Sequence, residues 1–387
     1  MKGNRIVMVF AVFCIMLIAV MALPVTAHAE DIAVGARAAV VYDTRTGAVL
    51  YEKNSRERLP MASTTKIMSA LIALESGRLD EEFTADSGAI KVEGSSMGLQ
   101  EGDRVTMRGL VCGMLLPSGN DAANAAAVRV AGSTEAFVRM MNERAAAMGL
   151  TDTHFVTPSG LDDDTDEHYS TALDMARLAA VCMENSDFAE ICSKQYIRVR
   201  FGAPPYERTL RNTNRLLGSV EGVCGIKTGF TDKAGRCLVS ACERNGARLI
   251  CVTLNDRSDW DDHAALYDRC FADMRSFRLP GSGREYKVRT AGGARRKVAA
   301  AAPPLVMTLP DDAAQKLSVK VCIGSFVPAP VKSGEKLGEV KYYCDGRKIG
   351  SVSIFAVEDN APARPGTGEW QKLLRYLDEG LEKRETM

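Results

Sequence analysis

The chain has 387 residues, of which 46% are hydrophobic and 25% charged. That balance excludes a disordered or fibrous protein, and the length predicts two domains rather than one. Lys+Arg and Asp+Glu are equal at 49 each, so no global field points to nucleic acid.

The first element is an export signal. Lys2 and Arg5 precede an apolar run from Ile6 to Leu23, followed by Pro24 and Ala27-His28-Ala29. A basic start, an apolar core and small residues spaced A-x-A predict cleavage after Ala29. The alternative is an uncleaved anchor, because the run approaches the length of a membrane span. Either way, the rest of the chain is expected to work outside the cytoplasm.

Ala38–Tyr42 and Ala48–Glu52 are apolar runs on either side of a polar turn, which predicts a hairpin. Ile67, Ala70, Leu71 and Leu74 recur at helical spacing, and Gly77 is placed to stop that helix. Helical patterns follow over 107–116, 121–130 and 133–148. Thr171-x-x-Asp174 resembles a capping box that opens another helix. Runs over 223–230, 236–243 and 248–254 then predict a β meander, with Arg244-Asn-Gly-Ala247 as a tight turn, and a helix closes it over 258–274. A hairpin, helices, a meander and a closing helix make an α+β domain with an antiparallel sheet. Beyond Phe277, short strands with turns at Pro328-Ala-Pro330 and Asp345-Gly346 predict a small all-β domain. The chain ends in Trp370, Leu373, Leu374, Leu377 and Leu381, an apolar stripe on a short helix.

Of 11 cysteines, Cys14 lies in the signal, leaving ten. Cys237, Cys242 and Cys251 fall inside apolar strand-like runs and are read as buried free thiols, whereas Cys322 and Cys344 can pair. No C-x-x-C or His/Cys cluster has zinc spacing, so no metal is expected.

Three strings carry chemistry. In Ser63-Thr-Thr-Lys66 the hydroxyl and the amine share one helical face, so the lysine can take the proton of a serine nucleophile. Ser118-Gly-Asn120 follows Pro117 between two helices, where a hydroxyl can relay a proton and an amide can hold a carbonyl. An N-cap role for Asn120 is the alternative. Lys227-Thr228-Gly229 lies in a strand that can pair with an extended peptide and present a cation to a carboxylate; Phe230 N–H would complete an oxyanion hole with Ser63 N–H. A second Ser-x-x-Lys at Ser333–Lys336 and a Lys-Ser-Gly at Lys332–Gly334 sit in a Gly-containing turn and are read as solvated surface.

A trio in this order, with Ser-Asp-Asn in the middle, marks penicillin-binding proteins and class A β-lactamases; here the middle string is Ser-Gly-Asn. Together with 227–235, 168–176 and 212–217, the chain resembles the low-molecular-mass penicillin-binding proteins that are serine-type D-alanyl-D-alanine carboxypeptidases. The resemblance implies a transpeptidase-like α+β domain over 30–280. It implies a small β-sandwich over 281–360 and a linker with a membrane-contacting helix over 361–387. It also implies cleavage of the terminal D-Ala–D-Ala amide of peptidoglycan stem peptides, trapping by β-lactams, and no cofactor. Ser63 becomes the acylated nucleophile and Lys66 its base, while Ser118 and Asn120 complete the proton and substrate network. Lys227, Thr228, Gly229, Phe230 and Arg248 become the carboxylate and backbone contacts, and His168 lines the cleft. Two rivals stand beside this reading. One is a β-lactamase, disfavoured because no Glu-x-x-Leu-Asn string follows Ser118. The other is an idle wall-binding protein, disfavoured because every reactive group is present.

Overall fold

The structure is a computed structural model that describes residues 32–162 and 165–363. The expected export signal and the expected C-terminal apolar helix lie outside the described residues. Among those described, no helix is long and apolar enough to cross a membrane.

The first part is α+β. Strands β1 (Ala38–Asp43) and β2 (Val49–Lys53) form the predicted hairpin. A 3-10 turn, Ala62–Thr65, leads into α1 (Lys66–Glu75). The two short strands β3 (Glu82–Thr84) and β4 (Arg104–Thr106) come next. Four helices follow: α2 (Met107–Leu115), α3 (Asn120–Ala131), α4 (Thr134–Ala147) and α5 (Ala172–Cys182). Ser133 and Thr171 cap α4 and α5 by accepting from Ala136 N–H and Asp174 N–H, which satisfies donors that a helix start leaves open. Helix α6 (Ser186–Cys192) and the hairpin β5 (Tyr196–Gly202)–β6 (Pro205–Arg211) had no counterpart among the expected elements.

Strands β7 (Val223–Thr231), β8 (Gly235–Arg244) and β9 (Ala247–Leu254) are the meander, and α7 (Asp259–Ala272) closes it. They join the first hairpin in one antiparallel sheet ordered β2-β1-β9-β8-β7, which leaves one side of β7 free at the edge. Helix α1 is buried along nearly its whole length, Lys66 to Leu74, because helices and sheet enclose it on every side. The chemistry-bearing end of α1 is thereby anchored in the core.

The second part has its own core, built on Val298, Val340, Tyr342 and Ile354. Strand β10 (Met274–Arg278) leads into it and pairs with β13 (Val306–Pro310) as a two-stranded ribbon. The other strands make one six-stranded sheet by hydrogen bonding. In chain order these are β11 (Glu285–Ala291), β12 (Lys297–Ala301), β14 (Leu317–Ile323), β15 (Val327–Pro328), β16 (Lys336–Cys344) and β17 (Arg347–Ala356). Arg347, opening β17, ties this part to the first by donating to Tyr42 Oη at 2.9 Å and Thr44 O at 3.0 Å.

All ten described cysteines are free thiols. The Cys322–Cys344 pair that the sequence left open is not made. Cys344 faces Leu317 in the ladder while Cys322 faces Glu339, five residues further along β14 and roughly 17 Å away by strand rise.

Candidate active site

The three strings meet in one cleft of ≈ 630 Å³, lined by Ser63, Ser118, Thr228, Gly229 and Phe230. Each comes from a different element, and local backbone explains how.

Ser63 sits in the 3-10 turn that enters α1. Ala62, just before it, has φ +50, a left-handed conformation that a side chain makes costly. The next turn carries Lys66 back over Ser63. Lys66 is fully buried, and its Nζ donates to Ser63 Oγ at 2.8 Å, Asn120 Oδ1 at 2.7 Å and the Ser159 carbonyl at 2.7 Å. Burial, with Lys227 nearby, holds its pKa well below that of an ordinary lysine, although Asp121 opposes the shift. The Ser63 hydroxyl and an amine of lowered basicity are therefore already in contact.

Ser118 is buried with φ +67, and Asn120 begins α3. Gly119 occupies the N-cap position instead, so Asn120 is not a cap. Its amide reaches Lys66 through Oδ1 and donates to Glu93 O at 2.7 Å through Nδ2. A Cβ on Gly94 would lie 2.8 Å from that nitrogen, so only glycine fits there. Asp121 holds the loop that follows by accepting from Met97, Gly98 and Leu99 N–H and from Ser96 Oγ.

On the opposite wall, β7 presents Lys227 and Thr228. Lys227 is fully buried, burial lowers its pKa to about 7, and Nζ donates to Thr228 O at 2.7 Å. Thr228 Oγ1 lies 2.7 Å from Thr213 Oγ1. At Gly229 a Cβ would sit 3.1 Å from Ser63 N, so the missing side chain lets β7 approach the turn that carries Ser63. Phe230, beyond it, is largely exposed in the cleft.

Two predicted residues are elsewhere. Arg248 faces Glu243 in the β8–β9 ladder, four residues from Val252, the position two strands across from Lys227. That is roughly 13 Å along the strand. Its Nη1 donates to Met183 O at 3.2 Å, outside the cleft, because opening β9 places it at the far end of the sheet. His168 is 1% exposed and bonds Thr65 behind the turn rather than lining the cleft.

The sequence reading missed the arginines that do line the cleft, Arg236 foremost. Arg236 faces Phe230 across β7–β8, so both side chains leave the same face of the sheet. Its Nη2 donates to Asp259 Oδ1 at 2.6 Å, and its guanidinium lies 5.3 Å over the Trp260 ring. Arg211 and Arg215 line the same cleft, whose lining thus carries three guanidiniums and one carboxylate, that of Asp259. The signal was present: Arg236 follows the tight turn directly after the Lys-Thr-Gly strand.

Comparison with known proteins decides the family. The model of the family described as D-alanyl-D-alanine carboxypeptidase matches residues 24–258, more than half of the chain. This chain belongs to that family. A second model, the C-terminal domain of penicillin-binding protein 5, matches residues 279–361. The chain is 29% identical over 362 residues to D-alanyl-D-alanine carboxypeptidase DacF of Bacillus subtilis, spanning 89% of this chain and 92% of that one. It is 30% identical over 335 residues to DacA of Haemophilus influenzae, spanning 83% and 84%. Crystal structures of penicillin binding protein 5 from Haemophilus influenzae superpose with TM-score 0.60 at 28% identity, covering 85% of this chain and 98% of that one. The carboxypeptidase DacD of Francisella tularensis gives 0.57 at 27% identity, covering 84% and 94%. The chain thus shares with these relatives an α+β domain followed by an all-β domain.

Proposed function

We propose that this family member removes the terminal D-alanine of peptidoglycan stem peptides through an acyl-enzyme on Ser63. Lys66, once neutral, takes the Ser63 proton as Oγ attacks the carbonyl of the penultimate D-alanine. The N–H groups of Ser63 and Phe230 hold the oxyanion. The Ser118 hydroxyl relays the proton to the leaving amine, and Asn120 orients Lys66 and the substrate amide. The D-alanine departs, and water then cleaves the ester, returning the free serine. Lys227 and Thr228 bind the terminal carboxylate, with Arg236 taking the part expected of Arg248. Gly229 admits the substrate strand along β7.

One observation carries this reading: a buried lysine donates at 2.8 Å to a serine hydroxyl in the cleft. Penicillins should trap the same serine. Intact-mass measurement after exposure to benzylpenicillin tests it. A long-lived adduct on the wild-type chain and none on Ser63→Ala supports the carboxypeptidase, fast turnover points to a β-lactamase, and no adduct on either chain refutes the scheme.

The same proposal includes export with cleavage after Ala29, working domains over 30–280 and 281–360, and peripheral membrane contact through 370–381. Four basic and four acidic side chains over 370–387 balance, so that contact would rest on the apolar stripe rather than on charge. A chain ending at Ala363 should lose sedimentation with vesicles once the signal is gone.

A further inference from the structure

His168 does not reach the cleft, yet it touches the turn that carries Ser63. Its ring nitrogens have different partners. Val156 N–H donates to Nδ1 at 2.9 Å, so Nδ1 carries no hydrogen and the neutral ring is protonated at Nε2. Burial, with His154 and Lys66 nearby, lowers its pKa to about 4, so the ring is neutral at pH 7. Nε2 lies 2.8 Å from Thr65 Oγ1, and Thr65 donates its own hydrogen to Ala62 O at 2.8 Å. Donors therefore run one way, from Val156 N–H through the ring and the Thr65 hydroxyl to the Ala62 carbonyl.

Both ends of that chain matter to the nucleophile. Ala62 is the left-handed residue immediately before Ser63, and such a conformation persists only where its surroundings hold it. Val156 begins the loop that runs to Gly160, within which Ser159 O accepts from Lys66 Nζ. Gly160 passes so close that a Cβ there would overlap Ala62 O. The imidazole thus spans the two segments that place Ser63 and Lys66.

We propose that His168 is a positioning residue for acyl transfer. Its Nε2–H tautomer fixes the strained turn before Ser63 and the loop that holds Lys66, without touching substrate or exchanging a proton. This rests on the assignment of Ser63 and Lys66 made above.

A merely structural histidine would change stability alone, so the test separates stability, binding and rate. Asn at 168 can still accept from Val156 but cannot reach Thr65, whereas Gln carries an N–H out to the position of Nε2. Thr65→Val removes the hydroxyl at constant shape, and Thr65→Ser keeps it. Benzylpenicillin acylation of the full chain is followed by intact mass, giving the limiting rate and the half-saturating concentration, with thermal unfolding in parallel. His168→Asn and Thr65→Val should each cut the limiting rate about 10- to 100-fold at unchanged half-saturation. Thr65→Ser should stay within about threefold, and His168→Gln should recover part of the loss, as expected when the hydrogen bond itself positions the turn. The double variant, His168→Asn with Thr65→Val, should be no slower than the worse single one, because both break one chain. Wild-type limiting rates in folded variants, or losses that multiply in the double variant, would overturn the proposal. If the residue-168 variants do not fold, the Thr65 pair decides alone by the same criteria. A wild-type chain that is not acylated at all would instead overturn the assignment of Ser63.

Discussion

Ser63–Lys66 and Ser333–Lys336 have the same spacing and opposite surroundings. The first lies in a 3-10 turn entering a buried helix, where three residues of separation bring amine and hydroxyl to 2.8 Å. The second lies in a turn leading into β16, with both side chains exposed, and Ser333 N–H donates to Asp359 rather than meeting Lys336. The pair teaches that spacing supplies reach only on a helix and that burial supplies the lowered basicity. A motif becomes a site only when the fold provides both.

The largest expected effect tests that contrast directly. Ser63→Ala should abolish the penicillin adduct, and Lys66→Gln should slow its formation on the order of a thousandfold, as loss of an activating base does. Ser333→Ala and Lys336→Gln should leave the rate unchanged, measured by intact mass against time. Any adduct at Ser333, or a rate defect in either surface variant, would break the comparison.

Lys227 sharpens it with pH. A lysine titrating at about 7 is charged below that pH and neutral above it. Because the cation must meet the substrate carboxylate, kcat/KM should fall about tenfold per unit above pH 7, provided Lys66 supplies the rising limb. Lys227→Arg should lower the overall rate, since a guanidinium must fit a fully buried site, but it should carry the falling limb to higher pH. Lys336→Arg should leave the profile where it was. A limb that stays near 7 in Lys227→Arg belongs to another group.

Arg236 and Arg248 form a second such contrast between two residues of one type. Arg236→Gln should raise KM for a D-Ala–D-Ala peptide about tenfold, the worth of a hydrogen bond to a charged group, and should affect a peptide ending in a carboxamide less. Arg248→Gln should stay within about twofold on both. D-Alanine release at varied substrate concentration reads the difference, and equal effects on the two peptides would remove Arg236 from the carboxylate.

Local pattern made much of the fold legible. Helix α1 and the helices after it, the meander β7–β9 and the closing helix all follow periodicity, and Thr171 caps as its spacing implies. The hairpin β5–β6 escaped although Ile197, Val199 and Phe201 alternate with Arg198 and Arg200, because paired arginines mask an inward face. The three strings that line the cleft were legible because each is contiguous. Arg236 was missed and His168 was placed in the cleft for the complementary reason. One depends on which residue faces Phe230 across a ladder, and the other on a carbonyl more than a hundred positions away in sequence.

The thiols carry the smallest expected effect and extend the same lesson to another side chain. Burial pushes Cys112 and Cys237 up to about 12, so at pH 8 almost no thiolate exists to react. Cys322, on the edge strand β14, is only half-buried. Iodoacetamide on the native protein should therefore label Cys322 well before Cys112 or Cys237, as peptide mapping over time can follow. Since the ten described thiols are unpaired, adding dithiothreitol should shift Tm by less than about 1 °C, whereas losing a native disulfide would cost about 2–5 kcal/mol. A larger shift would mean that oxidation joins cysteines this fold holds apart. Early labelling of Cys237, which lies 3.8 Å from Pro60 O just ahead of the nucleophile turn, would show that the wall behind Ser63 opens in solution.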